Sequence, residues 1–131
     1  MLELRDEHPD KLLHRPITEA VIGAAFEVHG QLGYGFLERV YQRALQVELS
    51  RRGFSAEIEK RIQVKYKGII VGEYDADLMV ADSVVVEIKI NAQYDKRDEA
   101  QRLNELKATG LKVGLLLNFG RTKVEYKRLV F

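Results

Sequence analysis

The chain has no cysteine, no tryptophan and only two prolines in 131 residues. Without cysteine there is no disulfide framework, no thiolate metal site and no cysteine nucleophile, which suits a reducing compartment. Charge of one sign is also missing. The 21 basic and 20 acidic residues leave a net charge of +1, so composition carries no nucleic-acid footprint of the strongly basic kind. No apolar run approaches the roughly 18 residues that span a bilayer. The opening Met1-Leu-Glu-Leu-Arg-Asp-Glu-His-Pro-Asp10 is too charged for a secretory signal. These absences predict a cytoplasmic chain with no membrane partner. His8, His14 and His29 are too dispersed for a zinc site, and the Gly33-Gly35 turn lacks the lysine of a phosphate-binding loop.

What is present is the composition of a globular protein: 46% apolar and 31% charged, with no internal repeat or low-complexity tract. We expect one domain over residues 16–131, preceded by a loosely ordered arm at 1–15 punctuated by Pro9 and Pro16. Local basic groups remain, at Lys60-Arg61, Lys65, Lys67, Lys96-Arg97, Lys123, Lys127 and Arg128; they could line a groove or lie on solvated faces.

The apolar spacing predicts a first helix capped by Thr18 and running to Gly30, with His29 at its end bonded to backbone. A second helix is expected from Phe36 to about Arg52, stopping at Gly53. Its buried face combines Leu37, Val40, Ala44 and Val47 with Tyr41, Leu45 and Leu49. From Ser55 the period becomes two. Ile58, Ile62, Val64 and Tyr66 form one strand, Lys67-Gly68 turns, and Ile69 to Val80 leads into a second hairpin. Asp95 to about Thr109 reads as a third helix with Ala100, Leu103 and Leu106 inward. Lys112 to Asn118 reads as a strand covered on both faces, and Val124 to Phe131 as an edge strand. The expected order is α-α-β-β-β-α-β-β.

The second hairpin, Asp77 to Lys89, concentrates the chemistry. Alternation puts Glu87 and Lys89 on one face, with Val86, Ile88 and Ile90 on the other. If Ala81-Asp82-Ser83 is the turn, Val80 meets Val84 and Asp77 stands opposite Glu87. Directly opposed residues have Cβ atoms roughly 4.5–5.5 Å apart. Two carboxylates about 4 Å apart repel by about 4 kcal/mol at a surface dielectric, so a cation belongs between them, either Lys89 or a divalent metal. Magnesium, which takes oxygen ligands and keeps several waters, could be held by Asp77, Glu87 and the Ile88 carbonyl. Lys89 would then orient or help deprotonate an attacking water, or stabilise the charge of the transition state. A solvated cross-strand charge trio explains the same spacing, and Asp75 could replace Asp77 as ligand.

The run Gly33-Tyr-Gly-Phe-Leu-Glu38-Arg-Val-Tyr41, with Asp77-Leu-Met-Val, Val86-Glu-Ile-Lys89, Gln101 and Gly114 to Gly120, resembles the GxxExxY protein family. That family is grouped with the PD-(D/E)XK nuclease-like superfamily. The resemblance covers about Thr18 to Phe131. It implies an α/β (α+β) fold with a restriction-endonuclease-like α-β-β-β-α-β core, a mixed sheet flanked by helices, an extra N-terminal helix and a C-terminal edge strand. It further implies a metal-dependent nuclease acting on DNA or RNA through Glu38, Asp77, Glu87, Lys89 and Gln101. Mg2+ would be the cofactor with Mn2+ able to substitute, and Glu38 would bind the metal directly or through water. One departure stands out: Glu105 replaces the family's usual tyrosine four residues after Gln101. A catalytically silent binding module for nucleic acid or a protein is the alternative, as a homodimer or with a partner subunit.

Overall fold

A computed structural model describes residues 14–97, 99–100, 104, 106–107 and 110–130. Two helices, α1 (Arg15–Leu32) and α2 (Glu38–Arg51), precede five strands: β1 (Ala56–Tyr66), β2 (Ile69–Val80), β3 (Val84–Lys89), β4 (Val113–Phe119) and β5 (Val124–Val130). The order of these elements is α-α-β-β-β-β-β. It differs from the expected one by the helix between β3 and β4, which falls largely outside the described residues; of that stretch, Arg97, Glu99, Ala100, Asn104, Leu106 and Lys107 are helical. Most of the expected N-terminal arm, residues 1–13, also lies outside them.

The sheet runs β1-β2-β3-β4-β5, antiparallel throughout except for the parallel pair β3–β4, and is therefore mixed. Every residue of β4 is buried, as expected of a strand covered on both faces, and β5 forms an edge. The main core joins Val84, Val86 and Ile88 of β3 and Leu115 and Leu117 of β4 to α1 and α2. No helix among the described residues is long and apolar enough to cross a membrane.

Two expectations about the helices are corrected. The first helix starts at Arg15 rather than at a Thr18 cap, because Pro16 occupies its first turn, where a fixed φ helps and a missing N–H costs nothing. Thr18 is buried inside the helix and its Oγ1 donates to the Arg15 carbonyl at 3.1 Å. In α2 the buried row is Tyr41, Leu45 and Leu49, spaced by four, whereas Leu37 is 74% and Val47 55% exposed. Two apolar rows adjoin on this helix; with the bulkier one buried, Val40 and Ala44 of the other stay half-buried while its ends, Leu37 and Val47, turn outward.

One irregularity matters for the site. On β2, Leu78 and Val80 pack under the helices, whereas Tyr74 and Ala76 join a smaller cluster with Ile62, Met79 and Val85. Strict alternation would keep Ala76 with Leu78. The change of face falls at Asp77, and on β1 at Glu59, a non-glycine residue with φ +54° between Ile58 and Lys60, which pair with Leu78 and Ala76.

Candidate active site at the split between β2 and β3

The turn Ala81-Asp82-Ser83 joins β2 to β3 as expected, with φ +52° and +53° at its first two residues. The ladder then pairs Val80 with Val84, Met79 with Val85 and Leu78 with Val86. One step further, where Asp77 and Glu87 would face each other, side chains take over from the backbone. The Asp77 N–H donates to Glu87 Oε2 at 3.0 Å, and the Ile88 N–H donates to Asp77 Oδ2 at 2.7 Å. Each carboxylate binds an amide across the gap, so the two strands diverge here without leaving these donors bare.

Asp77 has a third restraint. Gln42 of α2, only 7% exposed, donates its Nε2 to the Asp77 carbonyl at 2.9 Å. The N–H, carbonyl and carboxylate of Asp77 are thus each fixed by a different residue. Gln42 is absent from the sequence-based site; its signal was its position one turn after Glu38 on the same helix face.

Glu38, Arg39, Gln42, Glu59, Asp77 and Ile88 enclose a cleft of about 130 Å³. Glu38 opens α2 and is exposed. The preceding turn is set by Tyr41, which is fully buried. The Tyr41 hydroxyl donates to the Gly33 carbonyl and accepts the Phe36 N–H at 3.4 Å. Gly33 (φ +72°) and Gly35 (φ +115°) supply the backbone angles of this turn. The spacing Gly35, Glu38, Tyr41 therefore has a physical basis: the glycine bends, the tyrosine locks, and the acid is delivered to the cleft.

Glu87 is placed differently from the sequence-based expectation of a single shared face. It is 7% exposed and borders a narrow hollow with Tyr74, Val85, Leu106, Gly114 and Leu129, on the Val85 face of β3. Ile88 faces the core under the helices and also borders the Asp77 cleft. Lys89, half-buried at the end of β3, shares the Glu87 face by alternation and pairs in register with Asn118 of β4. Asp75 lies outside the cleft: it is 46% exposed and held by Arg61 Nε at 2.7 Å. Gln101 and Glu105 lie outside the described residues.

The chain beyond Lys89 is held by Asn118, which is 1% exposed. Its Oδ1 accepts the Asn91 N–H at 2.8 Å and its Nδ2 donates to the Asn91 carbonyl at 2.9 Å. The amide thereby extends the β3–β4 pairing past the last residue of β3. His29 Nε2 donates to the Gly120 carbonyl at 2.8 Å, as its position at the helix end predicts. Gly120 is close-packed, since a Cβ there would lie 3.0 Å from the Lys123 carbonyl oxygen.

A sequence model of the PD-(D/E)XK nuclease superfamily matches residues 15–129. The chain belongs to that superfamily. Its fold also resembles the crystal structure of SSO0001, with a TM-score of 0.50 and 16% sequence identity over 87% of this chain and 77% of that one. No curated protein matches it in sequence.

PD-(D/E)XK nucleases typically use divalent metal ions. Among the described residues no three His, Asp or Glu side chains converge into a ready cage. The donors at the split are nonetheless of the right kind. Glu38, Glu59 and Asp77 offer oxygen alone to one small cleft, which suits magnesium or manganese, ions that need only one or two carboxylates and retain water.

Proposed function

We propose that this PD-(D/E)XK protein is a cytoplasmic metal-dependent nuclease of the GxxExxY branch, hydrolysing phosphodiester bonds of DNA or RNA with a single domain over residues 16–131. The observation that carries this reading is the threefold fixing of Asp77 between Glu87, Ile88 and Gln42. A carboxylate whose own backbone is clamped is pre-organised to hold a ligand at low reorganisation cost.

Asp77, Glu87 and the Ile88 carbonyl would hold Mg2+, or Mn2+ in its place, with Glu38 binding directly or through water. When bound, the ion supplies a more acidic water and neutralises charge on the phosphate. Lys89 stands at the end of β3, next to Glu87 on the same face, to orient the attacking water or take up transition-state charge. Gln101, which the family resemblance adds to this set, lies outside the described residues. Cleavage of plasmid and single-stranded substrates with magnesium or manganese tests the proposal. Wild type is expected to cleave, and Asp77→Ala and Lys89→Ala to lose at least a hundredfold in rate; equal cleavage by all three proteins would remove it.

One observation favours a second reading, a nuclease fold kept as a binding module without turnover. The Glu87 carboxylate is committed to the Asp77 amide, and it borders a different hollow from Glu38. Titration calorimetry with Mn2+ separates the two. Heat lost in Asp77→Ala supports the working site, whereas absence of metal binding in the wild type favours the module.

A further inference from the structure

The hairpin of β1 and β2 outruns the sheet. β2 pairs with β1 from Val80 to Ile69, but with β3 only from Val80 to Leu78. From Ala76 outward the two strands therefore form a ribbon with no third strand among the described residues, closed by Lys67-Gly68 with φ +50° and +82°. A two-stranded ribbon is marginal in water unless something supports it. The inner half is supported: Ile62 and Tyr74 pack into the smaller core cluster, and Arg61 bridges Asp75 at 2.7 Å and Glu73 at 3.6 Å.

The outer half is built differently. Tyr66 is 62%, Ile69 68% and Val71 62% exposed. A register shift at Val64/Lys65 sets Tyr66 opposite Ile69 and Lys65 opposite Ile70, so an aromatic–aliphatic pair stands on one face of the tip and a cation on the other. Lys60 is paired with Glu57 at 3.3 Å and Arg61 with Asp75 and Glu73, which leaves Lys65 and Lys67 as the charges of the tip, with no acid between Lys60 and Gly72. Lys67 Nζ lies over the Tyr66 ring, 5.4 Å from its centroid. The arm leaves the sheet immediately beside Asp77, at the mouth of the cleft.

Lysine at a ribbon edge discourages strand addition, but that role does not call for an exposed tyrosine and isoleucine beside it. A second copy docking arm to arm about a two-fold axis would set these cations against themselves. A polyanion with flat apolar faces matches both the charge and the aromatic. We propose that the β1–β2 arm is a grip for single-stranded or locally unpaired nucleic acid, with Tyr66 stacking on a base and Lys65 and Lys67 taking the flanking phosphates. This rests on the reading of the site as one that acts on nucleic acid, and it adds the strand state of the substrate. At about 3.3 Å per residue, the eight or so residues of β2 between tip and Asp77 span about 25 Å. The bound strand therefore has to reach about 25 Å from the scissile phosphate to the tip.

The test uses the full chain, fluorescein-labelled 30-nucleotide DNA and RNA strands, and anisotropy in EDTA, so that binding is read without turnover. Tyr66→Ala is expected to weaken binding about tenfold, Tyr66→Phe to restore it, and Lys65→Gln/Lys67→Gln to lower the slope of log affinity against log salt by about 1.4. Far-UV circular dichroism checks that the exposed substitutions leave the fold intact. Wild-type affinity and salt slope in these variants, with cleavage lost only in Asp77→Ala, would overturn the arm proposal and leave the nuclease reading standing. A concentration-dependent dimer that Tyr66→Ala dissociates, with oligonucleotide affinity unchanged, would also overturn it, making the arm a self-association face. A wild type that binds neither strand would overturn the arm proposal, and cleavage with magnesium or manganese would still decide the nuclease reading by itself.

Discussion

The rings of Tyr41 and Phe119 stack with centroids 4.4 Å apart, joining α2 to the last residue of β4 beneath the turn that delivers Glu38. Both residues are fully buried. Because the same tyrosine bonds the Gly33 carbonyl, this stack transmits the position of the sheet to the glycine turn. Removing the hydroxyl alone, in Tyr41→Phe, is expected to keep the stack and to cost about 1–1.5 kcal/mol in urea-monitored stability. Metal affinity should fall as well, since Glu38 loses its fixed approach. A Tyr41→Phe protein as stable as wild type would show that the hydroxyl does not lock the turn.

At Asp77 the carboxylate has two separable duties, accepting the Ile88 amide and binding cation. Asp77→Asn keeps an acceptor oxygen for Ile88 and removes the charge, whereas Asp77→Ala removes both. Asp77→Ala is expected to lose about 1–3 kcal/mol of stability and Asp77→Asn much less, while both lose Mn2+ binding by calorimetry. Equal stability of Asp77→Ala and wild type would deny the bond to Ile88 any structural weight.

Asn118 acts on Lys89 by holding the chain that follows it. Asn118→Ala should cost about 1–3 kcal/mol for two lost hydrogen bonds and speed amide exchange in residues 90–95 by at least tenfold. Unchanged exchange there would dissociate Asn118 from the positioning of that segment.

The left-handed backbone at Glu59 predicts an unusual pattern of tolerance. Glycine carries no Cβ penalty at φ +54°, so Glu59→Gly should be neutral or stabilising by up to about 1 kcal/mol, whereas β-branched Glu59→Val should destabilise by about 1–2 kcal/mol. Thermal unfolding of the two variants decides it, and a stable Glu59→Val would refute the change of strand face at this level.

Asp95 accepts the Arg97 N–H and its guanidinium, at 2.9–3.2 Å. The side-chain hydrogen bond to Arg97, then its backbone N–H, hold the Asp95 carboxyl below the usual carboxylate range. With the folded value depressed, the contact contributes above the ordinary aspartate range and is lost as pH falls through the folded value. Carbon-13 titration of the Asp95 carboxyl should show its midpoint rising in Arg97→Ala; an unmoved midpoint would deny the pairing.

The hairpin from Asp77 to Lys89 was legible because Ala81-Asp82-Ser83 interrupts two apolar runs of strand length, and the ends of β2 and the Lys67-Gly68 turn follow from period and glycine alone. The partition of the acids was not legible. Alternation assumes an unbroken pleat, and nothing local marks Glu59 as a residue that leaves it. Gln42 was equally hidden, because a buried amide on a helix is visible only once the carbonyl it meets is known. The start of α1 is hidden because threonine is a good cap, and Pro16 two residues before it reads as a break as readily as a first turn.

The parallel pairing of β3 with β4 sets a temporal order on all of this. Antiparallel β1, β2 and β3 can zip locally from their turns, but β4 reaches β3 only after the intervening chain has been looped back. Lys89 and its Asn118 support are therefore a non-local pair, 29 residues apart, whose meeting costs a loop closure that the hairpins do not. A chain still emerging from synthesis carries the acids and the arm, but not the finished floor on which they would act.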